Sequence, residues 1–142
     1  MPLPLAALHQ LWGEPATGAL LEAEFQSGPG SICTDSRQLR AGDLFVPLVG
    51  ETFDGHAFLE QAIGAGCLAV VAMQAQLDLA QRDAVVSRAQ ANGCHLWWVS
   101  DTQLAYQQLG QAWRNSLAAS VVAVTGSAGK TTTRELIRAV LE

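Results

Sequence analysis

The sequence predicts an α/β fold. A small mixed α/β domain over residues 1–117 is followed, over 118–142, by the first strand, glycine-rich loop and helix of a second, truncated domain. Three observations carry this. Short apolar or β-branched runs (44–49, 68–72, 95–99 and 121–124) alternate with segments of helical period, as strands covered by helices do. Glycine, asparagine and aspartate punctuate the joins between them. Apolar residues make up 49% of the chain and charged residues 15%, so a core can form and disorder is excluded.

The elements follow in order. Leu5 to Trp12 reads as a short helix ended by Gly13. Ala19 to Phe25 reads as a strand, with Ser27-Gly28-Pro29-Gly30 as turn material. Ser31 to Thr34 begins another extended piece, and Leu44 to Gly50 reads as a strand. Pro47 cannot donate to a ladder, which predicts an edge position or a local irregularity there. Ala57 to Gly64 reads as a helix with Phe58, Ala62 and Ile63 toward the core, and Leu68 to Ala72 as a buried strand. Gln74 to Ala91 is loop plus helix before the Asn92-Gly93 turn, and His95 to Val99 is a strand. Asp101-Thr102 caps a helix reaching about Leu117, in which Ala105, Leu109, Ala112, Trp113 and Ser116 fall at helical spacing. The whole predicts a sandwich around a partly parallel sheet, with no internal repeat.

Composition narrows the function. A net charge of −5 and scattered arginines (37, 40, 82, 88, 114, 134, 138) argue against a nucleic-acid or anionic-membrane surface. Cys33, Cys67 and Cys94 form no paired motif and read as buried, reduced thiols of a reducing compartment. The start Met1-Pro2-Leu3-Pro4 lacks a basic leader, and the longest apolar block, Cys67 to Met73, is too short to span a bilayer. A cytoplasmic location is the expectation.

The strongest signal surrounds the single lysine. Val121-Val122-Ala123-Val124 leads into Thr125-Gly126-Ser127-Ala128-Gly129-Lys130-Thr131 and then a helix-like Arg134 to Leu141. Strand, glycine-bracketed loop and helix together make a phosphate-binding site. The glycines let backbone N–H groups face phosphate oxygens, the helix adds its positive end, and Lys130 and the Thr131 hydroxyl suit phosphates and a magnesium ion. The loop is the shorter GxxGKT form, with Val124 where the longer form has glycine.

That loop, TGSAGKTTT, resembles the ATP site of the Mur ligase family, cytosolic ATP-dependent enzymes that form amide bonds in peptidoglycan synthesis. Two earlier stretches share the resemblance: Thr34-Asp35-Ser36-Arg37 with Gly42-Asp43-Leu44-Phe45-Val46, and Gly50-Glu51-Thr52-Phe53-Asp54-Gly55-His56-Ala57-Phe58. It covers roughly residues 30 to 142, with Pro47 departing from the family's usual small apolar residue. The second stretch and the 99–102 segment fit best the member that joins D-alanyl-D-alanine to UDP-N-acetylmuramoyl-tripeptide. The member adding the third amino acid, which more often has GTNGKT, is the alternative.

The resemblance implies ATP and Mg²⁺ as cofactors. Gly126, Ser127, Ala128, Gly129, Lys130 and Thr131 would hold the ATP phosphates, with Lys130 and Thr131 catalytic and Thr131 the magnesium ligand. It implies that residues 1–117 bind the UDP-sugar-peptide through Ser36, Arg37, Asp54, Gly55 and His56. UDP-N-acetylmuramoyl-tripeptide and D-alanyl-D-alanine would be the partners of a monomeric enzyme. Plainer readings stand beside these. Asp35 could hold its loop by an Asx-turn or an ion pair with Arg37. His56 could be a loop hydrogen-bonder rather than a base. His9 and His95 read as structural, and Trp113 reads as packing. Adjacent Trp97 and Trp98 face opposite sides and read as packing, with stacking on uracil the alternative. At 142 residues the chain has no room for the remaining metal ligands, adenine pocket and amine-binding domain, so it reads as a front piece inactive alone, or as a UDP-sugar-binding module.

Overall fold

The computed structural model describes residues 3–141. Helix α1 (Leu5–Trp12) is followed by β1 (Ile32–Cys33), β2 (Leu44–Phe45), α2 (Leu59–Gly64), β3 (Ala69–Ala72), α3 (Leu79–Ala91), β4 (His95–Trp98), α4 (Thr102–Ser116) and α5 (Lys130–Leu141). The four strands form one sheet in the order β1-β2-β3-β4, and every pairing is parallel. Parallel strands are covered on both faces, which is why these runs are continuously apolar rather than alternating.

Side chains alternate between two cores. Phe45, Val70, Ala72 and Leu96 face α2 and α3, packing with Leu59, Ala62, Ile63, Val85 and Ala89. Leu44, Val46, Ala69, Val71 and Trp97 face α1 and α4, packing with Leu5, Leu8 and Leu109. Trp97 is buried and its Nε1 donates to the Gly13 carbonyl at 2.8 Å, while half-buried Trp98 joins the opposite core. The Asp101 carboxylate accepts from Leu104 N at the start of α4, the cap the sequence implies, and that of Asp78 accepts from Gln81 N at the start of α3.

Four expectations change. Ala19 to Phe25 is not a strand: a 3-10 turn occupies Glu22–Glu24. The Glu24 carboxylate takes the Leu21 amide at 2.7 Å, and the Phe25 and Ser27 carbonyls accept the first free amides of α1. Local side-chain bonding and helix capping thus replace a ladder. The strand expected from Leu44 to Gly50 joins the sheet only at Leu44–Phe45, extended by a bond from Val46 N to Cys33 O, and its second half turns into a separate hairpin. Since β2 lies between β1 and β3, Pro47 marks an irregularity and not an edge. The helix expected from Ala57 starts as a 3-10 turn at Gly55 and becomes α-helical only at Leu59. Residues 121–124 form no strand, and Val121 and Val122 are exposed, because no described segment lies alongside to pair with them.

Smaller differences follow from geometry. The buried stripe of α4 runs through Thr102, Ala105 and Leu109 and continues in half-buried Ala112, with Trp113 flanking it at 43% exposure. Cys33 is half-buried, whereas Cys67 and Cys94 are buried at the entries of β3 and β4 with sulfurs 3.6 Å apart. Their hydrogen bond, with burial, pushes the Cys94 thiol well above its ordinary range and leaves it inert. Among the described residues no helix is long and apolar enough to cross a membrane.

Candidate functional site

The sheet's carboxyl ends open on a cleft. In parallel α/β sheets ligands bind there, because the loops leaving the strands diverge and their backbone amides are free. The segment after β1 and the loop after β2 supply the walls. The cleft measures about 530 Å³ and is lined by Thr34, Asp35, Ser36, Arg37, Phe53 and Phe58, a size that suits a small-molecule ligand.

The first wall is a turn held by its own charges. Asp35 accepts from Arg37 N at 3.0 Å, from Nε at 2.9 Å and from Nη2 at 2.7 Å. The Asx-turn and the ion pair offered as alternatives are therefore both present. The hydrogen-bonded Arg37 side chain, helped by its backbone amide, holds the Asp35 carboxyl down at about 2, so this oxygen pair is always anionic near neutrality. The Arg37 side chain remains 86% exposed. Its face away from Asp35 can meet an anion, and Ser36 lines the same cleft. Asp43, buried, accepts from Ser31 N, Ser31 Oγ and Arg40 N at 2.8–3.1 Å. The aspartate of the Gly42-Asp43-Leu44-Phe45 segment is thus scaffold, tying the entries of β1 and β2 together.

The second wall is a hairpin. After Pro47 the chain reverses, with Val49 and Asp54 bridged antiparallel and Gly50 N donating to Phe53 O at 2.7 Å. Phe53 at this tip, 52% exposed, stacks on Phe58 with centroids 5.8 Å apart and planes at 22°. Gly55 lets the hairpin lie against the preceding strand exit: a Cβ there would meet Pro47 Cα at 2.9 Å. Asp54, Gly55 and His56 stand behind the cleft rather than in its lining. The His56 ring, 2% exposed, is bonded at both nitrogens, Nδ1 to Asp54 Oδ1 at 2.6 Å and Nε2 accepting from Met73 N at 2.9 Å.

Sequence reasoning placed Ser36 and Arg37 at the cleft but missed its aromatic pair. Phe58 does pack against the core as expected, but its second face lines the cleft, and Phe53 was not singled out. The available signal was a large apolar residue at a glycine-flanked tip, Gly50 to Gly55, where solvent normally demands polarity. His9 stacks edge-on with Phe25, and His95 lies 3.4 Å from Glu24, so both sit away from the cleft.

The glycine-rich loop is an exposed turn ahead of α5. Gly126 and Gly129 take φ of 145° and 78°, which side-chain-bearing residues avoid. Lys130 opens α5 and its Nζ donates to the Gly126 carbonyl, closing the loop on itself. Thr131 follows in the first helical turn. Among the described residues no three His, Cys, Asp or Glu side chains gather around a metal position.

A family model described as Mur ligase family, catalytic domain, matches residues 30–113. The chain belongs to the Mur ligase family. The match includes the whole cleft lining and stops before the glycine-rich loop. Among Mur ligases, the UDP-N-acetylmuramoyl-tripeptide–D-alanyl-D-alanine ligase of Synechocystis is 45% identical over 111 residues, 78% of this chain and 22% of that protein. The UDP-N-acetylmuramoyl-L-alanyl-D-glutamate–2,6-diaminopimelate ligase of Syntrophomonas wolfei is 39% identical over 129 residues, 86% of this chain and 24% of that one. The solved UDP-N-acetylmuramoylalanyl-D-glutamyl-2,6-diaminopimelate–D-alanyl-D-alanyl ligase of Acinetobacter baumannii superposes with a TM-score of 0.70 at 32% identity, covering 99% of this chain and 28% of its own. The chain therefore spans about a quarter of the length of the Mur ligases it matches, and its sheet and flanking helices are those of the family.

Proposed function

We propose that this chain is the substrate-anchoring front of an ATP-dependent ligase that joins D-alanyl-D-alanine to UDP-N-acetylmuramoyl-tripeptide in the cytoplasm. The cleft at the strand ends is the single observation that carries the reading. It offers a stacked aromatic pair for a pyrimidine, and beside it an arginine and a hydroxyl for a diphosphate. Similarity to D-alanyl-D-alanine-adding relatives supports the choice of substrate.

On this reading residues 1–117 are the UDP-binding domain, and 118–142 begin the ATP-binding domain of a longer protein. Backbone amides of Gly126 through Lys130 would hold the ATP phosphates, Lys130 would neutralise them, and the Thr131 hydroxyl would hold Mg²⁺. When bound, the ion neutralises charge that develops on the transferred phosphoryl group. The tripeptide carboxylate takes the γ-phosphoryl group, giving an acyl phosphate and ADP. The amine of D-alanyl-D-alanine then attacks the acyl carbon, phosphate leaves, and the amine gives up a proton as the amide forms. Activation is needed because a carboxylate is a poor electrophile. Positioning and charge neutralisation carry the first step, with no nucleophilic side chain required.

Two substitutions in the full-length enzyme test this. Lys130→Ala lowers kcat by roughly a hundredfold or more while the UDP substrate still binds. Arg37→Ala raises KM for the UDP substrate about 5- to 10-fold and leaves ATP turnover at saturation intact, as expected of a solvent-exposed charged contact. Loss of UDP-substrate binding in Lys130→Ala, or an unchanged KM in Arg37→Ala, would overturn the site assignment. The diaminopimelate-adding relative favours a second reading, and supplying each enzyme's UDP-peptide and amine in turn separates the two.

A further inference from the structure

The geometry points to His56 as a positioning residue that sets the aromatic wall of the cleft. This rests on the reading of the cleft as the UDP site. The buried His56 side chain ties the hairpin to the sheet from both ends of its ring. Nε2 accepts from the amide of Met73, the first residue past β3, so Nε2 carries no proton. The proton is therefore on Nδ1, directed at the Asp54 carboxylate 2.6 Å away.

Asp54 is also the hairpin's bridge partner to Val49 and accepts from His56 N at 2.9 Å. Phe53 is its immediate neighbour at the tip. The imidazole thus works as a strut from the end of β3 to the base of the hairpin, and the tip carries the ring that stacks on Phe58. Close backbone contact between Gly55 and Pro47 leaves the hairpin no free travel toward the sheet. Shortening or unpinning the strut moves Phe53 relative to Phe58 and widens the wall. His56 does not line the cleft whereas Phe53 does, so its effect passes through Phe53.

Titrating the chain with UDP-N-acetylmuramic acid by calorimetry tests the coupling. His56→Gln puts an amide oxygen where Nε2 was and keeps the Met73 bond while losing the Asp54 bond. His56→Asn does the reverse. Each variant weakens Kd about 3- to 10-fold in the otherwise native chain, and less than twofold in a Phe53→Ala background, because coupled residues are non-additive. A purely structural role would give the same fold loss in both backgrounds, and that result, or an unchanged Kd in the native background, overturns the inference. Should both His56 variants unfold, Asp54→Asn, at a half-exposed site, is put through the same cycle with the same expected non-additivity. Phe53→Ala and Arg37→Ala serve as the control on the site itself. If they weaken binding while His56 variants do not, only the strut falls. If they bind as the native chain does, or the native chain does not bind, the cleft reading falls and the strut with it.

Discussion

Arg37 and Asp35 lie two residues apart and form a pair before any ligand arrives. Two nitrogens of the guanidinium are committed to the carboxylate, which fixes its plane and leaves the remaining edge pointing outward. A lysine could not be oriented this way, since its ammonium is a point charge on a flexible stem. The pair also has a definite pH range. Asp35 is held at about 2 against an ordinary 3.8, so the folded state favours its charged form. That contribution is complete above about 3.8 and disappears as pH falls through about 2. An NMR titration of the Asp35 side-chain carboxyl carbon should therefore stay flat from neutrality to below pH 4, with its midpoint near 2. A midpoint near 3.8 would mean that the guanidinium is free.

At the scale of elements, the hairpin between Val49 and Asp54 is where sequence and structure diverge most usefully. Gly55 is required there by space. A methyl group would press on Pro47 Cα and Cβ at 2.9 and 3.0 Å and on the Leu48 amide at 3.1 Å, none of them flexible. Gly55→Ala should cost about 1–3 kcal/mol, as overpacking does, lowering Tm by roughly 5–20 °C in a thermal melt for a domain of this size. An unchanged Tm would mean that the hairpin can lift away. The continuous runs that became β3 and β4 were legible because strands buried on both faces leave little else to place there. Other segments were misleading. Ala19 to Phe25 has strand-like residues, yet the Glu24 carboxylate claims the Leu21 amide. Residues 121–124 have strand-forming residues and no neighbour. Ser36 and Arg37 were legible from their motif, whereas the stacking of Phe53 on Phe58 exists only once the chain has reversed between them.

On the scale of the whole molecule, the chain divides by burial. Through α4 it is layered on both faces of one sheet, while residues 118–141 place no residue in either core. Leu136, Val140 and Leu141 of α5 are exposed, so the apolar face of this helix is left uncovered by either core. Brief trypsin digestion should cut at Lys130 or Arg134 early and leave the preceding domain intact, as mass spectrometry would show. Early cleavage at Arg82 or Arg88 in α3 instead would contradict the division.

The strand order has its own consequence. Each strand pairs with the one made just before it, so the sheet can lengthen in the order of synthesis without waiting for a later segment to slip between earlier ones. Contacts that reach back to the start come last: β4 through the bond from Trp97 to Gly13, and the clasp of α4 on α1, joining Leu109 to Leu5 and Leu8 in one core. Vectorial growth of this kind would let the layered sheet close on the ribosome, its cleft already shaped, while the segment after α4 is still being made.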